Sequence, residues 1–321
     1  MRKRAKTGLI IASSLVLVGC IIFGSVMTML KWDFTKLSTV KYETNAYAIN
    51  EGFQSISIVT DTADIVFVPS EDVKSSVVCY EQKNVRHSVT VKDGALVIEV
   101  VNTKKWYDYI GITFGTPRIT VSIPQDEYGA LSVKSGTGDV KIPKGFTFES
   151  IDIAESTGDV ASAASASELL KIKTSTGDIR VENASAGALD LSVSTGEVIA
   201  RSITCEGDVK INVSTGKTNL TDIECKNVIT SGNTGDISLK NVIAAEKLSI
   251  ERSTGDVKLD GCDAAELAVK TDTGDIRGTL LTDKVFIAET DTGRVDIPKT
   301  AVGGRCEITT NTGDIRITIQ Q

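Results

Sequence analysis

The sequence predicts an all-β chain: a parallel β-solenoid of about ten coils, each 19–20 residues long, preceded by one N-terminal transmembrane helix. Three observations lead there. A Thr-Gly phrase, usually followed by Asp, occurs ten times, with its glycines at Gly138, Gly158, Gly177, Gly196, Gly216, Gly235, Gly255, Gly274, Gly293 and Gly313. Their spacing is always 19 or 20 residues, and a period in this range is a signature of stacked repeats. Apolar and polar residues alternate on both sides of each phrase. Residues 8–30 run without a charge.

The apolar run comes first in the chain. At 1.5 Å per residue it makes about 35 Å of helix, enough to cross a bilayer core of about 30 Å. Arg2, Lys3, Arg4 and Lys6 precede it, so the positive-inside rule places the N-terminus in the cytoplasm and the body outside. Leu17-Val18-Gly19-Cys20 gives an alternative, a lipoprotein anchored at Cys20. The apolar run continues through Ile21-Ile22-Phe23, which favours the uncleaved helix.

The organisation that follows is residues 1–31 as basic tip and anchor, 32–50 as a stalk, 51–130 as an N-terminal β region and cap, and 131–321 as the repeats. In the third segment, Asp61-Thr62-Ala63-Asp64 is a degenerate copy of the repeat phrase, so the solenoid begins here. Strands are expected at 75–80, 88–91, 95–101 and 119–123, with Lys92-Asp93-Gly94 as a hairpin turn. Residues 104–115 are dense in aromatics, with Trp106, Tyr107, Tyr109 and Phe114. They read either as a lid on the apolar end of the stack or as a partner-binding patch. The concentration is specific: of the 16 aromatic residues, only Phe286 lies beyond residue 150.

Within each repeat, the position five before the glycine is mostly aliphatic (Val133, Ile153, Ile172, Leu191, Ile211), and so is the position two after it (Val140, Val160, Ile179, Val198, Ile237). The position three after it is mostly polar (Lys141, Arg180, Lys258, Arg277, Arg316). That is a period of two on each side of a turn, the pattern of two short strands meeting at a corner. A third segment carries apolar residues seven after the glycine, including Ala184, Ile203, Ile223, Val242 and Leu281. One coil cannot bury its apolar face alone; stacked coils bury it on one another, and ten at about 4.8 Å make a rod of roughly 50 Å. Glycine supplies the bend, the adjacent Asp, Asn or Ser bonds the local backbone, and the preceding threonines form a hydroxyl ladder.

At these residues the chain resembles the bacterial cell-envelope "putative adhesin" family of β-strand-repeat proteins, a family of unknown function. The resemblance rests on the tether, on Ile119-Thr120-Val121-Ser122-Ile123-Pro124 leading into Leu131-Ser132-Val133, and on the repeated Gly-Asp-Val/Ile corners. It covers about residues 50–321. It implies a surface β-solenoid, some of whose relatives accompany envelope-stress systems, and it brings no catalytic residues. Lys217 and Arg294 depart from the usual acidic corner.

Composition narrows the function classes. Net charge is −7, and residues 1–31 hold five basic residues and no acid, so the remainder carries −12. An acidic body is a poor match for nucleic acid or for broad contact with an anionic membrane. The corner acids (Asp139, Asp159, Asp178, Glu197, Asp236, Asp256, Asp275, Asp314) suggest a calcium column. Each coil offers only one acid, however, and calcium takes six to eight oxygens. Pairs such as Thr174/Thr176 and Thr310/Thr312 suggest a flat threonine face. The coils lack the aromatics and histidine of a polysaccharide lyase or hydrolase, the enzymatic alternative.

No zinc spacing and no cofactor motif is present. Cys205 and Cys225 occupy equivalent places on neighbouring coils and are either bridged or a pair of buried thiols; Cys262 and Cys306 read as core. Cys79 has no evident partner, and His87, the only histidine, reads as a surface residue. The expectation is a membrane-tethered, non-catalytic, adhesin-like binding or scaffold protein of the cell envelope. The alternative is an envelope-stress accessory that contacts another membrane protein. Cell-wall polymer and host surface are the other candidate partners. The final strand, 315–321, is expected to end the rod as an open edge where copies could join.

Overall fold

The computed structural model describes residues 3–38, 40–71, 74–109 and 115–320. One helix, Lys3–Met29, precedes a β-solenoid. Its stretch Lys6–Met29 is long and apolar enough to cross a membrane. The helix is continuous through Cys20.

Parallel strands stack with like residues on like: Ile153 lies between Val133 and Ile172, and Thr157 between Thr137 and Thr176. The two aliphatic columns predicted to face inward are buried through the interior of the rod, among them Val133, Ile172, Val160 and Ile237. Each corner glycine has a positive φ, 147° at Gly158 and 148° at Gly196. A Cβ on Gly158 would lie 1.9 Å from the Gly138 carbonyl oxygen, so stacking as well as bending requires glycine here.

A second bend follows six residues after the glycine. Asn183, Ser202, Asp222 and Asn241 there are left-handed, with φ between 51° and 54°, and Gly261 takes φ 63° at the same place. Short polar side chains and glycine tolerate that region best. In the Gly274 coil this turn is one residue shorter. Leu280 therefore pairs with Cys262 and is buried, while Leu281, expected to point inward, is exposed.

Spatial order departs from chain order at both ends. The Ser55–Thr62 and Asp64–Pro69 strands stack directly on the Gly138 coil, and Ala95–Asn102 with Arg118–Ile123 lies outside them. At the far end, Gly304–Thr312 and Ile315–Ile319 insert against the Gly274 coil, and Lys284–Thr292 with Val295–Asp296 lies outside. The final strand is thus sandwiched. The open edge belongs to the Gly293 coil, which corrects the expectation that 315–321 ends the rod. Val295 sits in an inward column and yet is exposed because no coil covers it.

The stalk also needs correction. Residues 34–37 form a 3-10 turn, and Tyr42–Ile49 is a strand paired antiparallel with Ser75–Gln82. Tyr42 stacks on Tyr80 at 5.0 Å between ring centroids. Ser75–Gln82 in turn pairs antiparallel with Arg118–Ile123. Val85–Lys92 pairs with Ala95–Asn102 through the expected hairpin, with Asp93 and Gly94 both at positive φ. These antiparallel strands, with buried Phe67, Phe146 and Phe148 beneath, close the helix-proximal end of the core.

Candidate functional site

The repeat phrase is chemically closed. Asp159 donates its N–H to Asp139 Oδ1 at 3.0 Å, Asp178 to Asp159 Oδ1 at 2.8 Å, and Glu197 to Asp178 Oδ1 at 2.8 Å. The series resumes from Asp236 to Asp256, Asp275 and Asp314. Each of these aspartates therefore caps a neighbouring coil's backbone instead of its own turn, while Glu197 accepts from the Asn219 side chain. Arg294 is no interruption. It stands on the outermost coil, where it donates its N–H to Asp314 Oδ1 at 2.9 Å and needs to cap nothing further. That bond, first of several from Arg294, holds the Asp314 carboxyl below its ordinary value.

The Thr-x-Thr pairs do not form a flat array. Thr174, Thr271 and Thr310 are buried, while Thr176, Thr273 and Thr312 are exposed. The buried hydroxyls donate to corner carbonyls, as Thr310 does to Gly274 O at 3.1 Å. The corner threonines link coils through their carbonyls instead of a hydroxyl ladder: Thr157 O accepts from Gly138 N at 3.0 Å.

The column that holds those buried threonines carries two ionisable residues that motif spacing did not reveal. Glu155 is 5% exposed, and neither carboxylate oxygen has a hydrogen-bond partner. Burial first, opposed in part by the nearby Ser135 hydroxyl and reinforced by the charges of Asp139, Asp159 and Asp64, pushes its carboxyl up to about 8. Arg252 is 1% exposed. It donates to Val213 O at 2.6 Å and to Thr218 Oγ1 at 3.4 Å. Its path crosses Gly232, where a Cβ would meet Arg252 Nη1 at 2.2 Å. Gly232 is the socket that admits this side chain. The available signal was parity: this position is two residues from an inward column and so shares its face.

His87 is buried, which corrects its assignment to the surface. It hangs from Val85–Lys92 over Glu81 of the neighbouring strand. Its Nδ1 and its backbone N each lie 2.7 Å from Glu81 Oε2, and its Nε2 lies 2.9 Å from Thr60 Oγ1. Asn45 Nδ2 donates to Glu81 Oε1 at 2.7 Å. With the proton on Nδ1 facing the carboxylate, Nε2 accepts from the Thr60 hydroxyl. Cys79 completes the cluster, with ligand atoms of all three residues within 4.8 Å of one another. Burial raises its thiol to about 12, and Glu81 adds to this. Hydroxyl, imidazole and carboxylate lie in series, but Thr60 points into the core, so the arrangement serves to satisfy a buried carboxylate.

Cys205 and Cys225 are free thiols. Cys205 faces Gly187 O and Cys225 faces Asn227 O, so they do not bridge each other. Cys262 and Cys306 are fully buried, as expected.

Exposed chemistry gathers at the base of the rod, beside the helix. Trp106 is 77% exposed and Tyr107 half-exposed, their rings edge to face at 5.8 Å. Such exposure excludes the lid reading for these two rings. Tyr109 ends the same 3-10 turn, and Phe114 lies outside the described residues. A cleft of about 240 Å³ beside His87 is lined by Asp61, Gln82, Asn102, Lys104 and Pro117. A second, of about 270 Å³, is lined by Val40, Lys41, Lys83, Asn84 and Tyr107. On the far coils an open groove of about 660 Å³ runs past Lys258, Arg277 and Arg316, which are contiguous because of the changed coil order. Arg277 pairs with Asp275 and Arg316 with Asp296, so the groove carries mixed charge.

Solved structures with this fold include a putative adhesin from Parabacteroides merdae, 13% identical, with a TM-score of 0.51 over 88% of this chain and 98% of that one. A putative adhesin from Bacteroides fragilis is 17% identical over 87% and 97%, with a TM-score of 0.43. A putative lipid binding protein from Parabacteroides distasonis is 15% identical over 88% and 98%, with a TM-score of 0.48. A search of curated proteins gives no significant match. The model of the Toastrack DUF4097 family matches residues 53–213 and 203–321. Because that model covers most of its length, the chain belongs to the Toastrack DUF4097 family.

Proposed function

We propose that this is a membrane-tethered, non-catalytic binding protein of the cell envelope, its body outside the cytoplasm. The coils act as scaffold, and Trp106 and Tyr107 form the contact surface. The observation that carries this reading is the contrast in exposure. Along the coils, corner acids are engaged with neighbouring backbone, whereas Trp106 stands 77% exposed. Exposed aromatics of this kind are the usual anchors of interfaces. The family match and the adhesin-like names of several structural neighbours are compatible with binding without turnover.

The test is capture from native envelopes by the full-length protein after photo-crosslinking. Trp106→Ala is expected to abolish the specific adducts, and Asp159→Asn, on a mid-rod corner, to leave them. Retention of all adducts by Trp106→Ala would sink the reading. Release of sugar fragments from envelope polysaccharide by the purified protein would replace it with an enzymatic one.

A further inference from the structure

The acidic average of the body conceals a basic base. Five exposed lysines (Lys31, Lys36, Lys41, Lys83 and Lys105) lie along the turn that follows the helix and the loops that meet the first strand. Lys83 N bonds Lys41 O at 3.0 Å, and Lys41 lines one cleft with Tyr107, which brings these segments together. The acids among them are committed. Asp33 pairs with Lys36 at 3.7 Å, Glu43 with Arg86 at 2.7 Å, and Asp108 accepts from Lys105 N at 2.9 Å. Residues 31–43, 83–86 and 104–108 together hold seven basic and three acidic side chains, a net of +4 in a chain of net −7.

The chain is also turned at the helix end. Trp32 N bonds Met27 O at 2.8 Å and Lys31 N bonds Thr28 O at 3.1 Å, with Lys31 and Trp32 both left-handed. This double closure stops a helix and redirects the chain sharply. Met27 in the last turn is fully covered, so protein packs against the helix end itself. Trp32 is 60% exposed and Phe34 47% exposed at the same level. Aromatic rings and lysines at the end of an apolar helix are the composition of a membrane–water interface.

We propose that the base docks on the anionic headgroups of the bilayer that holds its own helix, with Trp106 and Tyr107 entering the interfacial layer. The proposal rests on the contact-surface reading above and names the partner of that surface as lipid. Docking sets the rod at a fixed angle to the membrane, with the Gly293 coil as its distal end. The lysines supply attraction that salt screens, and the rings supply depth.

The test uses full-length protein in lipid nanodiscs, in a Trp32→Phe background that leaves Trp106 as the sole tryptophan. Phosphatidylcholine discs are compared with discs containing phosphatidylglycerol, each carrying a headgroup-level quencher. Trp106 emission is expected to be quenched at least about twofold more in the anionic discs, with the difference lost near 1 M salt, where the Debye length is about 3 Å. Lys41→Glu, Lys83→Glu and Lys105→Glu, all at exposed positions, should remove the quenching together. No quenching, or equal quenching in neutral discs, overturns the proposal. If Trp106 stays unquenched while Trp106→Ala still abolishes the envelope adducts, lipid docking fails and the contact-surface reading stands.

Discussion

The two ends of the rod share a topological device and differ in chemistry. At the helix-proximal end, Ser55–Thr62 and Asp64–Pro69 stack inside Ala95–Asn102 and Arg118–Ile123, which follow them in sequence. At the distal end, Gly304–Ile319 stacks inside Lys284–Asp296, which precedes it. In both places a chain excursion becomes the outermost coil. The proximal coil is then covered by antiparallel strands and a Glu–His pair, with three buried phenylalanines beneath it. The distal coil is closed by half-buried Phe286 over Cys306, with the small Ala288 and with Ile297, and Val285, Ile287 and Val295 are exposed beside them. A solenoid end can thus be finished by a lid or left as a bare edge plugged by one ring, and here the lid lies beside the helix. The distal edge is the place where self-association would occur.

Substitutions should separate the two ends. The largest effect is expected from His87→Ala. It leaves the fully buried Glu81 carboxylate without its imidazole, and breaking such a pair costs about 3–5 kcal/mol. Chemical denaturation of the membrane-reconstituted protein would show this as early loss of the proximal strands. A cost below about 1 kcal/mol would mean that the pair is incidental.

The middle of the rod gives a pH-dependent effect. Glu155 has an ordinary value of 4.5 and a folded value of about 8. Below about pH 4.5 it is protonated in both states. Between the two values the folded chain holds a proton that the unfolded chain has lost, so stability falls as pH rises, and above about 8 the penalty is complete. Glu155→Gln should therefore be neutral near pH 4 and stabilising by about 1–3 kcal/mol at pH 8. A difference in Tm that stays constant across that range would contradict the buried, unpartnered carboxylate.

The smallest effect is expected at the distal plug. Phe286→Ala removes a half-buried ring from a coil with one neighbour and should cost about 1–2 kcal/mol, less than full burial would. It should also expose Cys306 to thiol reagents without disturbing Cys79. Equal labelling of both thiols would show that the two ends are coupled.

The sequence carried the interior of the rod because stacking repeats the same demand in every coil. Thr-Gly corners and the aliphatic columns recur often enough to be read directly. The column of Glu155, Thr174 and Arg252 was missed because its residues vary and several are polar, although their parity with the inward column marks them. The second bend was written in Asn183, Ser202, Asp222, Asn241 and Gly261, four residue types united only by tolerance of positive φ. His87 was misplaced because its partners, Glu81 and Thr60, meet it through a hairpin and a coil contact that no local pattern encodes.

Coil order was the least legible property, since one aliphatic coil face accepts another. Its single trace is Arg294, whose missing acid fits the outermost position.

That order is also the most direct thing to measure. Ala268 and Glu307 are neighbours in the observed stack, and Glu307 lies between Ala268 and Ile287. Parallel neighbours about 4.8 Å apart are within disulfide range, and next-nearest ones are not. The Ala268→Cys/Glu307→Cys variant should form a bridge under oxidation, and Ala268→Cys/Ile287→Cys should not. The reverse result would show that the coils stack in chain order and would contradict the account of both the distal edge and the Arg294 corner.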